Sequence, residues 1–476
     1  MTRRSHWLGE ALEDDDARAP PLEGDARVDV CIVGGGYTGL WTAIRLKEQD
    51  PSLDVMVIEK DYCGAGASGR NGGFVLSWWA KLLSLTKICG EEEAIRLAKA
   101  SADNVAEIGE FCQTNNIDSH FRHDGWLWAA TAPSQVGLWR ETIETANRYQ
   151  LHPLEEVSPA EAARRAGSGR HIAGAFEATA ASVQPALLAR GLRRVAVEKG
   201  VRIHEQTPMT KLTRGSPPTL RTPRGRVHAK KVVLAMNAWG IRFSELRRGI
   251  VVVSSDIVAT EAMPEKLAEI GYSNGMAISD GRMMVHYYRT TLDGRIVFGK
   301  GGMNGILPFG GHVGEMFDGP SRRETGVADW LRWTYPNLGE VKIQSSWMGP
   351  IDRSKSGLPA FGGLGGHPDI LYGIGYSGNG VGPSAIGGRI LASLALEKKD
   401  EWSQCGLVRP FGRDFPPEPI RYFGGHLVRR AVAAKDKADD AGRAAGPLTN
   451  YLAGLAPAGL SPLKRATRKQ PRTLSD

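Results

Sequence analysis

The chain has 476 residues, with 60 basic and 52 acidic side chains and a formal charge of +8. So mild an excess, part of it in Arg429-Arg430 and in Lys464 to Arg472, reads as solvated face and disordered end rather than as a nucleic-acid or membrane surface. Cys31, Cys63, Cys89, Cys112 and Cys405 form no CxxC pair and no metal spacing, and no apolar run has the length of a membrane span.

The opening residues carry Arg3-Arg4 but no apolar core, and Glu13-Asp14-Asp15-Asp16 is foreign to a signal peptide. A cytoplasmic protein with reduced thiols and no metal is the expectation. The length fits two or three domains. The 59 glycines exceed the average share, and many fall in clusters beside predicted strand ends.

Residues 1–27 read as a polar lead-in. Val28 to Val33 is a buried parallel strand, Leu40 to Gln49 a helix and Asp54 to Glu59 a second strand. Between strand and helix stand Gly34, Gly36 and Gly39, with Tyr37 and Thr38 inside the spacing. Gly34 permits the turn, Gly36 admits a pyrophosphate and Gly39 lets helix and strand pack closely. Phosphate would rest on the amide end of the helix. Glu59, followed by Lys60, lies where a carboxylate can accept both hydroxyl protons of an adenosine ribose. An ordinary βαβ turn is the competing reading. The strand before, the helix after and the acid at the right distance favour an ADP-containing cofactor.

The next stretch, Cys63 to Phe74, holds Gly66, Ala67, Ser68, Arg70, Asn71, Gly72 and Gly73. Such small residues let a loop lie flat against a planar ligand; a flexible loop is the bland alternative. Glu91 to Asn115 has helical apolar spacing, Trp126 to Ala130 reads as a strand, and Gln135 to Tyr149 and Pro159 to Ala166 as helices. Gln184-Pro185 opens a helix over Ala186 to Lys199, ended by Gly200. Val201 to Glu205 is a short strand, and Pro223-Arg224-Gly225 turns a hairpin. Lys231 to Trp239, which includes Asn237, reads as a buried strand running into a polar loop.

Residues 250–347 read as an antiparallel sheet, with Asp293-Gly294 as the turn between Met283 to Arg289 and Arg295 to Gly299. A helix near Gly326 to Thr334 ends before Pro336. The last block repeats strand, glycine-rich turn and helix: Ile370 to Gly375, then Tyr376-Ser377-Gly378-Asn379-Gly380, then Pro383 to Leu396. Residues 421–441 form a terminal helix before a partly ordered tail. A plain NAD site has no use for this second turn or for the Arg70 to Gly73 loop.

Together these blocks resemble the FAD-dependent D-amino-acid-oxidase-like family, which includes glycine, sarcosine and γ-glutamylputrescine oxidases. The Ser5-His6-Trp7-Leu8 opening, the Cys63 to Gly73 loop and Tyr422-Phe423-Gly424-Gly425 are most similar to a subgroup labelled aminophosphonate oxidoreductases. The resemblance implies a mixed α/β (α+β) fold: a Rossmann-type FAD-binding domain (28–80, 181–249 and 346–400) interleaved with an antiparallel-sheet substrate domain (81–180 and 250–345), then a C-terminal helix and tail (401–476). It implies Glu59 on the ribose, Arg70, Asn71 and Gly72 along the pyrophosphate and ring, and the Met209 backbone at the adenine. Gly349, Gly378, Asn379, Gly380 and Val381 would approach the isoalloxazine and ribityl chain.

Departures from the family matter too. Some relatives attach flavin through a histidine in the glycine loop or a cysteine before the last block. Asn71 and Ser345-Ser346-Trp347 stand in those neighbourhoods, so FAD is expected to be non-covalent. The substrate-carboxylate lysine of sarcosine oxidases is replaced by Gly382, and their oxygen-activating lysine by Val297, with Lys300 nearby but out of step.

The implied chemistry is oxidation of the C–N bond of a small amine, with or without an anionic group. Hydride passes to flavin N5, the imine hydrolyses, and O2 or another acceptor takes the electrons. A flavoenzyme acting on a hydroxy acid or alcohol, and a flavin-binding assembly or sensor protein, stay open. The candidate pocket wall is His286-Tyr287-Tyr288-Arg289, of which alternate residues share a face. The candidate catalytic residues are His286, Tyr288, Arg289, Tyr376 and Asn379. Arg289 could bind a carboxylate or phosphonate bidentately, or form a surface salt bridge. His286 could equally be a satisfied sheet residue, and Trp78, Trp79 and Trp347 core rather than an aromatic cage.

Overall fold

The computed structural model describes residues 5–13, 15, 18–301 and 305–459; Arg3-Arg4, Asp14, Asp16 and Lys464 to Arg472 lie outside them. Two eight-stranded sheets organise the chain. The first runs in the order Ala360–Gly363, Ile370–Ile374, Arg226–Leu234, Ala26–Val33, Val55–Ile58, Arg202–His204. Its pairs are parallel from Ile370–Ile374 to Arg202–His204, as the apolar runs of these strands require. The hairpin turned by Pro223 to Gly225 hangs from Arg226–Leu234.

Helices Tyr37–Gln49 and Pro383–Ala395 pack together over this sheet. Gly388 permits the contact, since a Cβ there would meet Trp41 Cβ at 2.6 Å. Trp41 is buried, which is worth roughly 2–3 kcal/mol for a large apolar side chain.

The second sheet runs Ile343–Ser354, Ile250–Thr260, Ile296–Lys300, His286–Thr290, Ala277–Asp280, Trp126–Ala130, Ala173–Glu177, Glu155–Val157. It is antiparallel except where Ala277–Asp280 runs parallel to Trp126–Ala130, a pair joined through a long intervening chain rather than a tight turn. Strand Ile343–Ser354 is continuous across 345/346 and carries Gly349 and Ile351 from the second sheet toward the first.

Three local readings change. Gln135 to Tyr149 is a short turn, Pro133–Gln135, then a helix at Arg140–Asn147, because Gly137 at φ +79° breaks the run. Met283 and Met284 precede the strand instead of opening it; their amides donate to Asp436 at 3.1 and 3.0 Å. After the terminal helix Ile420–Asp440 the chain forms a further helix, Pro447–Ala453, and runs on to Gly459 against the body.

Candidate functional site

A cavity of about 310 Å³ lies between the two sheets, a volume typical of small-molecule and cofactor sites. Its first wall is the βαβ turn. Gly34, at φ +114°, lies against Ala235, whose carbonyl oxygen would be 2.4 Å from a Cβ. Gly39 does not line the cavity; a Cβ there would strike the Gly34 carbonyl at 2.0 Å, so it serves helix–strand packing. Gly36 caps helix Tyr37–Gln49 without a side-chain hydrogen bond, and the first turn holds no acid. The positive end of the helix therefore faces the cavity. Ser68 Oγ accepts from the Tyr37 amide at 2.9 Å and holds the glycine loop against this helix. Thr38 lines the same wall.

Glu59 sits at the end of Val55–Ile58. Its carboxylate accepts from the Gly35 amide at 2.8 Å and the Asp61 amide at 2.9 Å. Burial pushes its pKa up against these bonds, which strengthens it as an acceptor for further donors. Lys60 lies over the Trp239 ring at 4.1 Å, and burial lowers its pKa. Gly66 abuts the same ring.

Gly66, Ala67, Ser68, Arg70, Asn71 and Gly72 line the cavity, but Gly73 does not. Gly73, at φ +77°, is packed under the Val183 carbonyl. Asn71 shapes the loop: its amide donates to the Ala67 and Ser68 carbonyls and its oxygen accepts from the Gly73 amide at 2.7 Å. The N-terminal helix His6–Ala11 clamps it from outside, with Trp7 Nε1 donating to the Asn71 carbonyl at 2.9 Å. The Arg70 guanidinium turns away to the carbonyls of Ala65 and Phe317, at 2.8 and 2.9 Å, and to Asp318 at 3.1 Å. It fixes the loop and is not free to follow a pyrophosphate.

The remaining cradle comes from distant segments. Met209 lines the cavity with its carbonyl held by Arg242 at 3.0 Å. Gly349, Gly378, Asn379, Gly380 and Val381 line the opposite end. Two non-glycine residues on the lining, Asn237 at φ +46° and Ser377 at φ +60°, hold left-handed backbone. Such strain persists where surrounding bonds over-determine it. Asp352 supplies those bonds at the second turn, accepting from the Gly375 amide at 2.6 Å and the Ser377 amide at 3.3 Å.

Of the five candidate catalytic residues, Tyr376 and Asn379 line the cavity. The Tyr376 hydroxyl accepts from Thr38 Oγ1 at 2.9 Å and so joins the two glycine turns. Asn379 donates to the Ser77 carbonyl at 3.3 Å. The other three do not line it, for distinct reasons. His286 is a buried sheet residue, with Nδ1 3.0 Å from Asp280 and Nε2 without a partner among the described residues; burial lowers its pKa to about 4. Tyr288 shares that face, stacked on Phe298 and bonded to His171 Nε2. Arg289 lies on the other face but is buried and spent on backbone. It donates to the carbonyls of Gly72 (2.8 Å), Val183 and Thr290, and forms no surface salt bridge among the described residues.

The residue of this strand that does face the cavity is Tyr287. Its ring covers Gly72, where a Cβ would lie 2.9 Å from it, and its hydroxyl bonds Ser255 Oγ at 2.7 Å. Met283 and Val285 extend this wall, and Lys81, Arg353 and Gly459 close the cavity elsewhere. Alternation could offer Tyr287 only as one of two faces. Lys81 and Gly459 carry no local signal. Trp78, Trp79 and Trp347 are buried off the lining; Trp347 Nε1 donates to the Arg70 carbonyl at 3.0 Å. Lys300 also lies off the lining, 4.6 Å from the Trp330 ring.

The sequence matches the family described as "DAO: FAD dependent oxidoreductase" over residues 29–394. The chain belongs to this family. Among curated relatives, it is 31% identical to the γ-glutamylputrescine oxidoreductase of Escherichia coli K12, over 77% of this chain and 83% of that one. It is 24% identical to the glycine oxidase of Geobacillus kaustophilus, over 81% of this chain and 98% of that one. The crystal structure of that organism's glycine oxidase aligns with TM-score 0.65 at 20% identity, covering 81% of this chain and all (100%) of the other. L-proline dehydrogenase from P. horikoshii aligns with TM-score 0.63 at 20% identity, covering 82% and 100%.

The protein is thus an FAD-dependent oxidoreductase of the DAO family, and its own residues fit the cofactor. Glu59 offers acceptors for a ribose diol, the Gly36 helix end an anion cradle, and Gly378 and Gly380 of the second turn a lining without side chains. No helix among the described residues is long and apolar enough to cross a membrane.

Proposed function

We propose that the protein oxidises the C–N bond of a small primary or secondary amine, an amino acid, polyamine derivative or aminophosphonate. One observation carries this reading. The cradle for the cofactor and a wall from the second sheet, Tyr287 with Ser255, enclose the same cavity. Relatives named for glycine and γ-glutamylputrescine oxidation support the amine class.

Bound FAD supplies a two-electron acceptor for the hydride on the carbon beside nitrogen. Glu59, the Gly36 helix end, Asn71 and the Gly378 to Val381 turn would hold it. The protein's remaining task is positioning and exclusion of water. Tyr287 and Phe74, edge to face at 5.8 Å, shield one side with apolar ring surface. The Tyr287 hydroxyl and Ser255 offer a neutral polar pair, with no charge to stabilise an ammonium. Hydrolysis of the released imine needs only water.

Anaerobic titration tests the reading, with 2-aminoethylphosphonate, its N-methyl form, γ-glutamylputrescine, sarcosine, glycine, D-alanine and a hydroxy acid. Bleaching of the flavin band near about 450 nm by an amine is the expected result. Bleaching by the hydroxy acid alone, or by no donor, overturns it in favour of an alcohol-oxidising or non-enzymatic flavoprotein. Neither histidine nor cysteine occurs among the described lining residues. Acid precipitation should therefore leave all the yellow colour in the supernatant; colour in the pellet would show covalent attachment.

A further inference from the structure

Lys81 and Arg353 stand together on the cavity wall, 5% and 7% exposed. Lys81 comes from the turn Trp79–Lys81 before helix Leu82–Cys89, Arg353 from the end of strand Ile343–Ser354. No carboxylate among the described residues pairs with either. Burial lowers both pKa values, that of Lys81 to about 7 and that of Arg353 to about 10, and the charge of Arg353 lowers that of Lys81 further.

Their hydrogen bonds are as sparse as their countercharge. Lys81 Nζ donates to the Gly459 carbonyl, and Arg353 Nη2 to the Ala458 carbonyl at 2.8 Å. Arg353 Nε is buried without a partner among the described residues. Two buried cations side by side cost several kcal/mol in desolvation unless an anion joins them. Among the described residues, arginine and lysine also hold most of their donors unused, in the fork-and-point arrangement that suits a planar or tetrahedral oxyanion. The phosphate cradle at Gly36 and Ser68 is built from other segments, so cofactor phosphate does not answer for this pair.

We propose that Lys81 and Arg353 form the subsite for an anionic group of the substrate, a carboxylate or phosphonate, with the Ala458–Gly459 backbone as its outer wall. The assignment rests on the amine-oxidoreductase reading for the identity of the substrate, and on the cation pair alone for its charge. The anion replaces the missing countercharge. The same two cations disfavour an ammonium nearby, so a substrate amine enters in the neutral form that hydride transfer needs. Arg289, spent on backbone carbonyls, has no part in this recognition.

The test uses the FAD-loaded enzyme and two anions that lack an amine, propionate and propylphosphonate, read by the shift they cause in the flavin spectrum. Saturable binding of at least one is expected, and which one binds tells carboxylate from phosphonate. Arg353→Gln and Lys81→Gln should each weaken it roughly 10- to 100-fold, with Arg353→Lys between. In anaerobic reduction, the preference for β-alanine or 2-aminoethylphosphonate over propylamine should fall by the same factor. Wild-type enzyme decides the matter if the variants do not fold. Arg353 is the charged group that acts on Lys81, so propionate, ionised throughout, should bind about tenfold more weakly per pH unit above about 7.

No anion binding by the wild type, affinity unchanged in the variants, affinity flat from about pH 7 to 9, or flavin lost from both Arg353 variants would each overturn the proposal. The last outcome would assign the pair to the cofactor. If anions bind as expected while no amine bleaches the flavin, the subsite stands and the amine reading falls. If amines bleach it without regard to charge, the reverse holds.

Discussion

The two walls of the cavity are built in different ways. The cofactor wall is mostly backbone: a helix end at Gly36, a glycine loop and a second glycine turn, with Glu59 the main side chain. The opposing wall is made of side chains, Tyr287, Ser255, Lys81 and Arg353, drawn from four separate segments. The first wall depends on where side chains are absent and the second on which are present. Substitutions should therefore act on them differently.

The largest effect is expected where the walls are tied together. Arg289→Met leaves the buried carbonyls of Gly72 and Val183 without their donor, while the Thr290 carbonyl keeps Arg122. Each unpaired group costs about 1–3 kcal/mol, so a loss of about 2–6 kcal/mol is expected for the two, read as a fall in denaturant midpoint. If instead stability holds and only substrate affinity drops, Arg289 is a binding residue and the comparison fails.

A second strain lies behind the side-chain wall. His171 is buried, bonded to the Ser168 carbonyl and the Tyr288 hydroxyl, and burial lowers its pKa to about 4. The unfolded chain, with an ordinary histidine pKa near about 6.5, binds more protons between about pH 6.5 and 4. Stability should thus fall as pH drops through that window, by on the order of 3 kcal/mol from this group, and be unaffected by it above. His171→Phe should reduce that slope in urea titrations at pH 7, 6 and 5, leaving the share of His286, likewise lowered to about 4; an equal slope in the variant would remove His171 as a source.

On the cofactor wall, Glu59→Gln keeps an acceptor for the Gly35 amide but removes the charge. A hydrogen bond to a charged group is worth about 1.5–3 kcal/mol, so FAD affinity should fall roughly 10- to 100-fold. Fluorescence titration of the apoprotein reads it. Unchanged affinity would mean that the carboxylate serves the loop, not the ribose.

The same contrast explains what was legible in the sequence. Gly34, Gly36, Gly39 and Glu59 stand at spacings set by one βαβ unit, so distance along the chain is distance in space. The two sheets follow from apolar runs and from the Asp293-Gly294 turn for the same reason. The residues of the other wall obey no such rule. A period of two told that Tyr287 and Arg289 share a face, but not that Gly72, lacking a Cβ, makes room for the tyrosine ring while its carbonyl takes the guanidinium. His286 and Tyr288 were drawn to the opposite side by Asp280 and His171, partners from the preceding strand and from before Ala173–Glu177. Lys81 and Arg353 meet Gly459 and Ala458 only because that distant segment returns across the cavity, which no local pattern announces.

The smallest expected effect isolates the side-chain wall. Tyr287→Phe keeps the ring over Gly72 and its edge contact with Phe74, so FAD content should not change. It removes the bond to Ser255 Oγ, which keeps its weaker bond to the Lys300 carbonyl at 3.2 Å. A neutral hydrogen bond is worth about 0.5–1.5 kcal/mol, so kcat/KM should fall roughly 2- to 12-fold. If the Tyr287 hydroxyl positions the amine in the reacting geometry only, the loss appears in the rate of flavin reduction and not in the substrate affinity from anaerobic titration. If it appears in both equally, the hydroxyl binds substrate uniformly. No loss in either would make Tyr287 part of the backbone-supporting wall, a cover for Gly72, and leave recognition to the cations across the cavity.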